Sequence, residues 1–373
     1  MFLGLGKPYF LGIDFGTSLI KAVELTIENG KPKLVNYGQV DLFQIEKTHT
    51  HAEPVAHEQE MSVYLRALLE HFHPKSTSAY VAMPAFIGLV SLVELPEMDE
   101  KELAEAMPFE AQKYIPSALE DVALSWEVVG IREASPGRPK SMEVLLVAAL
   151  NKEVNRYKQC IADAHLKMEF LELETFSLAR ALHREKTGMA LIIDIGSRAT
   201  NVILVDDGVV RVSRNLDVGG REVTHTLQEG LNIASDRAET LKKSGKDFFN
   251  VPESALVFPA LEMIGSEAQR ILASYGERYP EKKCEKVILS GGTAHMAGLA
   301  QYYNRMLGLP VELGDPWKNI AYEDRLAEEV KSLGTSFSVV LGLALAGVDS
   351  VMVREEPLNR KKFSLKEILN KKL

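Results

Sequence analysis

Two segments carry the same run of chemistry-bearing residues. Leu11-Gly12-Ile13-Asp14-Phe15-Gly16-Thr17-Ser18 aligns without a gap on Leu191-Ile192-Ile193-Asp194-Ile195-Gly196-Ser197-Arg198, 180 positions further along the chain. In each, an apolar run ends in Asp, and Gly and a hydroxyl follow after one intervening residue. The glycine has no Cβ, so backbone amides and the hydroxyl of Thr17 or Ser197 can approach phosphate oxygens closely. Asp14 and Asp194 suit a divalent counter-ion, held mostly through water because Mg2+ dehydrates reluctantly. A third segment, Val287-Ile288-Leu289-Ser290-Gly291-Gly292-Thr293-Ala294, reads as a buried strand ending in a Gly-Gly turn that opens a helix through Leu299. Such a turn lets a flat base or a ribose lie against bare backbone. Taken singly, each hairpin is a common strand-turn-strand unit; the pairing is what selects phosphate chemistry.

These residues need elements to hold them. Each Asp-Gly run implies a buried strand before it and a second strand after it, over Ile20 to Leu25 in one case and Val202 to Val205 in the other. The period is too long for a solenoid. It suits two similar halves facing each other, and 373 residues favour two lobes sharing a ligand cleft over one core. Apolar residues at 46% and charged residues at 25% are those of an ordinary globular protein. A net charge of −9 argues against nucleic acid as a partner. Cys160 and Cys284 stand far apart with no metal-ligand spacing, so no disulfide framework or zinc site is expected, and a reducing compartment fits. Lys7 and Pro8 interrupt the apolar start before a secretory signal forms, and the run Val339 to Val348 is too short to span a bilayer.

Between the hairpins, residues 88–167 read as strand (Leu89 to Leu95), helix (Asp99 to Tyr114), two strands (Ala123 to Val129 and Met142 to Leu150) and helix (Glu153 to Ala164), with a turn over Ala134 to Pro139. This is a β-α-β-β-α module.

The three chemistry-bearing segments, in this order and separation, resemble the phosphate-one, phosphate-two and adenosine motifs of the superfamily of actin, sugar kinases and heat-shock chaperone ATPases. The resemblance implies an α/β, actin-like (ribonuclease H-like) two-lobed fold that binds ATP and Mg2+. The site residues it implies are Asp14, Gly16, Thr17, Ser18 and Lys21 from the first hairpin, then Asp194, Gly196, Ser197 and Thr200 from the second. Gly219, Gly220, Gly291, Gly292 and Thr293 complete the backbone and hydroxyl contacts. Ala238 to Gly245 resembles the superfamily's Ala-Glu-x-x-Lys segment, which would bring Glu239 and Lys242 toward ribose and base; a solvated amphipathic helix is the other reading.

Glu94 to Leu103, Phe109 to Pro116 and Leu171 to Leu182 narrow the resemblance to the PilM family of type IV pilus assembly proteins, from about Tyr9 to about Val348. What this implies is an ATP-binding adaptor, cytoplasmic and peripheral to the inner membrane, that grips the N-terminal peptide of a PilN-like inner-membrane protein beside the inserted module. It would link a cytoplasmic motor ATPase to the assembly. The implied layout is a first actin-like subdomain at 1–87 and 168–188, the module at 88–167, a second subdomain at 189–216 and 285–350, a helical nucleotide-contacting part at 217–284 and a basic tail at 351–373. Glu174 is the candidate for orienting an attacking water, with a capping or surface role as the alternative, so slow ATP hydrolysis is left open. Arg198 reads either as a phosphate partner or as an outward side chain, and Asn201 as a water-orienting group. An FtsA-like, self-associating filament protein and a small-molecule kinase are the competing functions. In the tail, Arg360, Lys361, Lys362, Lys366, Lys371 and Lys372 accompany Leu365, Ile368, Leu369 and Leu373 at helical spacing. Weak contact of 360–373 with an anionic membrane surface is one reading, and a frayed or docked end the other.

Overall fold

A computed structural model describes residues 7–42, 57–134, 139–184, 187–249 and 256–352. The chain divides into two units. The first is Met1–Ser177, Asn319–Tyr322 and Leu343–Leu373, and the second is Leu178–Lys318 and Glu323–Gly342.

The first unit opens with β1 (Tyr9–Phe15), β2 (Leu19–Glu28) and β3 (Lys31–Asp41), an antiparallel meander. Helix α1 (His57–Phe72) follows, and β4 (Ser78–Met83) returns parallel to β1. Then comes the module: β5 (Gly88–Pro96), α2 (Glu100–Ala111), β6 (Val122–Arg132) and β7 (Ser141–Leu150). Helix α3 (Asn151–Asp163) leads back to β8 (Lys167–Leu173), parallel to β4, and α4 (Glu174–Leu182) starts where β8 ends. The sheet order is β3-β2-β1-β4-β8. All of β1 except Tyr9 is buried, which is why its sequence is a nearly continuous apolar run rather than an alternating one.

In the second unit β9 (Met189–Ile195), β10 (Thr200–Asp206) and β11 (Val209–Leu216) form another antiparallel meander. Helices α5 (Gly220–Leu231), α6 (Ser235–Lys242) and α7 (Pro259–Arg278) precede β12 (Lys286–Ser290), parallel to β9. Helix α8 (Leu299–Leu307), β13 (Val311–Leu313) and α9 (Ala327–Leu333) complete the unit. Its order, β11-β10-β9-β12-β13, repeats that of the first sheet strand for strand, with the same parallel and antiparallel pairings. The sequence repeat is thus a structural duplication.

The module is spliced into the connection between β4 and β8, and its sheet runs β5-β7-β6. Helix α2 covers one face. Asp99 accepts from the amides of Lys101 and Glu102 while Glu102 returns to the Asp99 amide, a reciprocal cap that fixes the helix start. Leu103, Met107 and Ala111, spaced four apart, then face Val93, Leu95, Val144 and Leu146 in a small separate core. Helix α3 instead packs chiefly along α1, with further contacts to β8.

Three expectations need correction or limits. The Gly291-Gly292 turn opens a short 3-10 turn, Gly292–His295, and not a continuous helix; α8 starts only at Leu299, because Gly298 at φ +82° breaks the run. The stretch Asp324–Met352 alternates 3-10 turns with α-helix, with Gly334 at φ +46° in its middle, and is long and apolar enough by composition to cross a bilayer, although 72% of its apolar window is buried in the protein. The uninterrupted apolar run, Val339 to Val348, lies wholly in the second half of this stretch, in α10 (Ser338–Met352). Residues 135–138 of the module's turn and the basic tail from 353 onward lie outside the described residues.

Candidate functional site

The two hairpin tips share one geometry. Gly16 donates its amide to the Leu19 carbonyl at 3.0 Å, and Gly196 donates to Ala199 at the same distance. A Cβ on Gly16 would sit 2.9 Å from the Leu19 oxygen, and one on Gly196 2.8 Å from the Ala199 oxygen. Both glycines are therefore required by the turn itself. With the turn closed this way, Thr17 and Ser18 leave their amides and hydroxyls without a hydrogen bond to any described residue, as do the Ser197 amide and hydroxyl and the Arg198 amide. Each half thus presents two consecutive unspent backbone donors, the donor set that phosphate oxygens need.

Asp14 and Asp194 occupy equivalent ladder positions but face different partners. Asp14 lies across from Lys21, and Asp194 lies across from Asn201. Burial pushes the Asp14 carboxyl above its ordinary value, and the Lys21 ammonium pulls the other way. Asn201 accepts from the Asn215 amide at 2.9 Å. Arg198 turns to Asp217, 2.9 Å from its carboxylate, on an exposed flank.

Around the second hairpin the other sequence-chosen residues converge. Gly196 and Ser197 accept at their carbonyls from the amides of Gly220 and Arg221, at 2.8 and 2.9 Å, so the first turn of α5 is sewn to the hairpin. Gly219 gives its amide to Glu222. The Thr200 hydroxyl is spent internally on the Val218 carbonyl at 2.8 Å. Gly291, at φ +86°, passes so close to β9 that a Cβ would lie 2.4 Å from the Ile195 oxygen. A Cβ on Gly220 would strike the Thr293 hydroxyl at 2.4 Å. The Thr293 hydroxyl makes no hydrogen bond to a described residue. Gly292 has open space where a Cβ would be.

Glu239 and Lys242, one turn apart on α6, are joined at 2.7 Å. The buried ammonium also donates to the Gly220 carbonyl at 3.0 Å and to Thr224 at 2.8 Å, which uses all three of its protons. Lys242 thereby anchors the glycine turn from below. Burial pulls the Lys242 ammonium below its usual range, against the Glu239 bond. For Glu239 burial acts upward, but bonds from Lys242, Thr224 and Lys243 outweigh it and hold the carboxyl at about 2. Of this group, Glu222 and Thr224 were missed from the sequence. Their spacing, three beyond Gly219 and four beyond Gly220, was the available signal.

Glu174, in the first unit, accepts from the Ala85 amide at 2.9 Å. Its neighbour Leu173 packs so tightly on Gly88 that a Cβ there would meet a Leu173 methyl at 2.7 Å. The end of β8 therefore clamps the segment through which the chain enters the module. Among the described residues no cluster of His, Cys, Asp or Glu forms a metal cage. Single buried carboxylates beside unspent donors do fit a cation held through water with its phosphates.

Duplicated sheets of this order, each carrying a phosphate-type hairpin at the end of its first strand, define the actin-like fold class. A solved PilM-PilN type IV pilus biogenesis complex shares the fold at a TM-score of 0.75 and 23% identity, covering 91% of this chain and 98% of that one. The ethanolamine utilization protein EutJ of Carboxydothermus hydrogenoformans does so at 0.53 and 18%, covering 91% and 90%. Cell division protein FtsA of Neisseria meningitidis serogroup B is 23% identical over 261 residues, 62% of this chain and 61% of that protein, so the match spans about three-fifths of its length. The profile of the family described as type IV pilus assembly protein PilM matches residues 12–348, and the chain belongs to that family. Its place is in type IV pilus assembly.

Proposed function

We propose that the protein is an ATP-binding adaptor of the pilus assembly platform, cytoplasmic and peripheral to the inner membrane, which binds the N-terminal cytoplasmic segment of a PilN-like membrane protein. The observation that carries the nucleotide part is the pair of hairpins with matched, unspent donors. Thr17, Ser18 and Ser197 bind phosphate oxygens through amide and hydroxyl, and Arg198 through its amide. Lys21 adds charge at the first hairpin. Asp14 and Asp194, each beside the unspent donors of its own hairpin, are the carboxylates that would hold Mg2+ through water, and the ion would supply charge neutralisation of the phosphates. Gly219, Gly220, Gly291, Gly292 and Thr293 leave room for the nucleoside, with the half-exposed Glu239 beside them. Glu174 orients water for slow turnover.

The partner part is supported by the module, which has its own core, two edge strands, and exposed Phe109 (74%), Ile131 (56%) and Val128 (42%). An extended segment with apolar side chains is the ligand such a surface takes. Pull-down of the chain by a synthetic peptide from the cytoplasmic tail of the neighbouring membrane protein, with and without Mg·ATP, tests it. Capture in at least one condition is expected; none in either would overturn the adaptor reading. Likeness to FtsA supports a second reading, self-association into filaments, which sedimentation with ATP would reveal.

A further inference from the structure

Helix α3 begins at Asn151, directly after the last residue of β7, so it continues the module's central strand without a linker. On it stands Tyr157, 4% exposed, with its ring edge-on against Phe15 at 5.4 Å between centroids and 73° between planes. Phe15 is the residue between Asp14 and Gly16 at the tip of the first hairpin. The Tyr157 hydroxyl makes no hydrogen bond to a described residue. A phenol this buried ordinarily finds an acceptor, because an unpaired one has given up its bond to water for nothing.

The surroundings keep the proton in place. Burial pushes the phenol far above its ordinary value; Arg156 opposes this, while Glu153, Glu174 and Asp14 add to it. The group is a standing donor near the carboxylates proposed to serve the nucleotide, and an anionic oxygen is the acceptor that gains most from a donor of this kind.

We propose that the Tyr157 hydroxyl donates a hydrogen bond to the terminal phosphate of a nucleoside triphosphate held at the first hairpin, so that the helix leaving the inserted module senses which nucleotide is bound. The inference rests on the nucleotide reading above and adds a regulatory contact to it. With a diphosphate the donor has no phosphate partner, and α3 is held only by its packing. The module's exit helix is thus tighter in the triphosphate state.

Tyr157→Phe keeps the ring on Phe15 and removes only the donor. Isothermal titration of the full chain with Mg·ATP and Mg·ADP is expected to show ATP affinity reduced roughly tenfold, with ADP affinity within about twofold of wild type. Hydrogen exchange over 151–163 should be slower with ATP than with ADP in wild type and equal in the variant. Its melting temperature without nucleotide should not fall, since no protein bond is lost. Equal effects on both nucleotides, or no effect on either, overturn the inference while wild-type binding stands. Absence of binding by the wild type to both nucleotides overturns the nucleotide reading and this contact with it.

Discussion

Asp14 faces Lys21 directly across the β1–β2 ladder, and the second hairpin replaces that lysine by Asn201. The buried Asp14 carboxyl is raised above 3.8, so its ionisation costs the fold. The cost is absent below the unfolded value and fully felt once pH has risen past the folded one. Asp14→Asn should therefore melt a few degrees above wild type at pH 7 without metal, with the difference vanishing near pH 3, and should bind Mg·ATP at least about tenfold more weakly. Lys21→Gln should shift the melting point the opposite way. Melting curves against pH, with and without Mg·ATP, check both signs.

The turn glycines predict a matched pair of costs. Neither Gly16 nor Gly196 needs a positive φ, so substitution is penalised by the close carbonyl alone. Gly16→Ala and Gly196→Ala should each destabilise by about 1–3 kcal/mol in chemical denaturation, and by similar amounts, because the two turns are copies. A cost confined to one of them would show that the duplicated geometry is not equally strained.

How much of this was legible in the sequence follows from the range of each signal. The hairpins were readable because Asp, Gly and hydroxyl sit within five residues and recur. The module was readable because its strands and helices are short and sharply bounded by turns. By contrast, the Thr200 hydroxyl is a nucleotide contact by sequence and is spent on the Val218 carbonyl in the fold, since which face of β10 a side chain takes depends on the pairing with β11. Lys242 was placed near the nucleoside, but no local pattern shows that Gly220 and Thr224 would use up its ammonium. Tyr157 gave no signal at all: its approach to Phe15 exists only once β8 has brought α3 back to the first sheet.

Lys242 sits beneath the glycine turn, and its removal should loosen that turn. Lys242→Met is expected to cost about 2 kcal/mol, less than for a sealed ion pair because the Glu239 side chain is 39% exposed. Glu239 is depressed from 4.5 to about 2. Its stabilisation is present above 4.5 and is lost as pH falls through the folded value. Glu239→Gln should therefore flatten the acid limb of the stability curve between those values and leave the slope above pH 5 unchanged, which denaturation at a series of pH values would show.

Glu174 allows its structural and chemical duties to be separated. Its carboxylate accepts the Ala85 amide at 2.9 Å, and a glutamine oxygen can accept the same bond. Glu174→Gln should keep stability within about 0.5 kcal/mol of wild type, while Glu174→Ala should lose about 1–2 kcal/mol by leaving that amide unpaired. If the carboxylate also orients water, ATP turnover should fall about tenfold or more in both variants with nucleotide affinity retained. Turnover that survives in the Gln variant and falls only in the Ala variant would assign Glu174 to holding the module's entry strand. Chemical denaturation and single-turnover phosphate release, run on the same two variants, read the two duties independently.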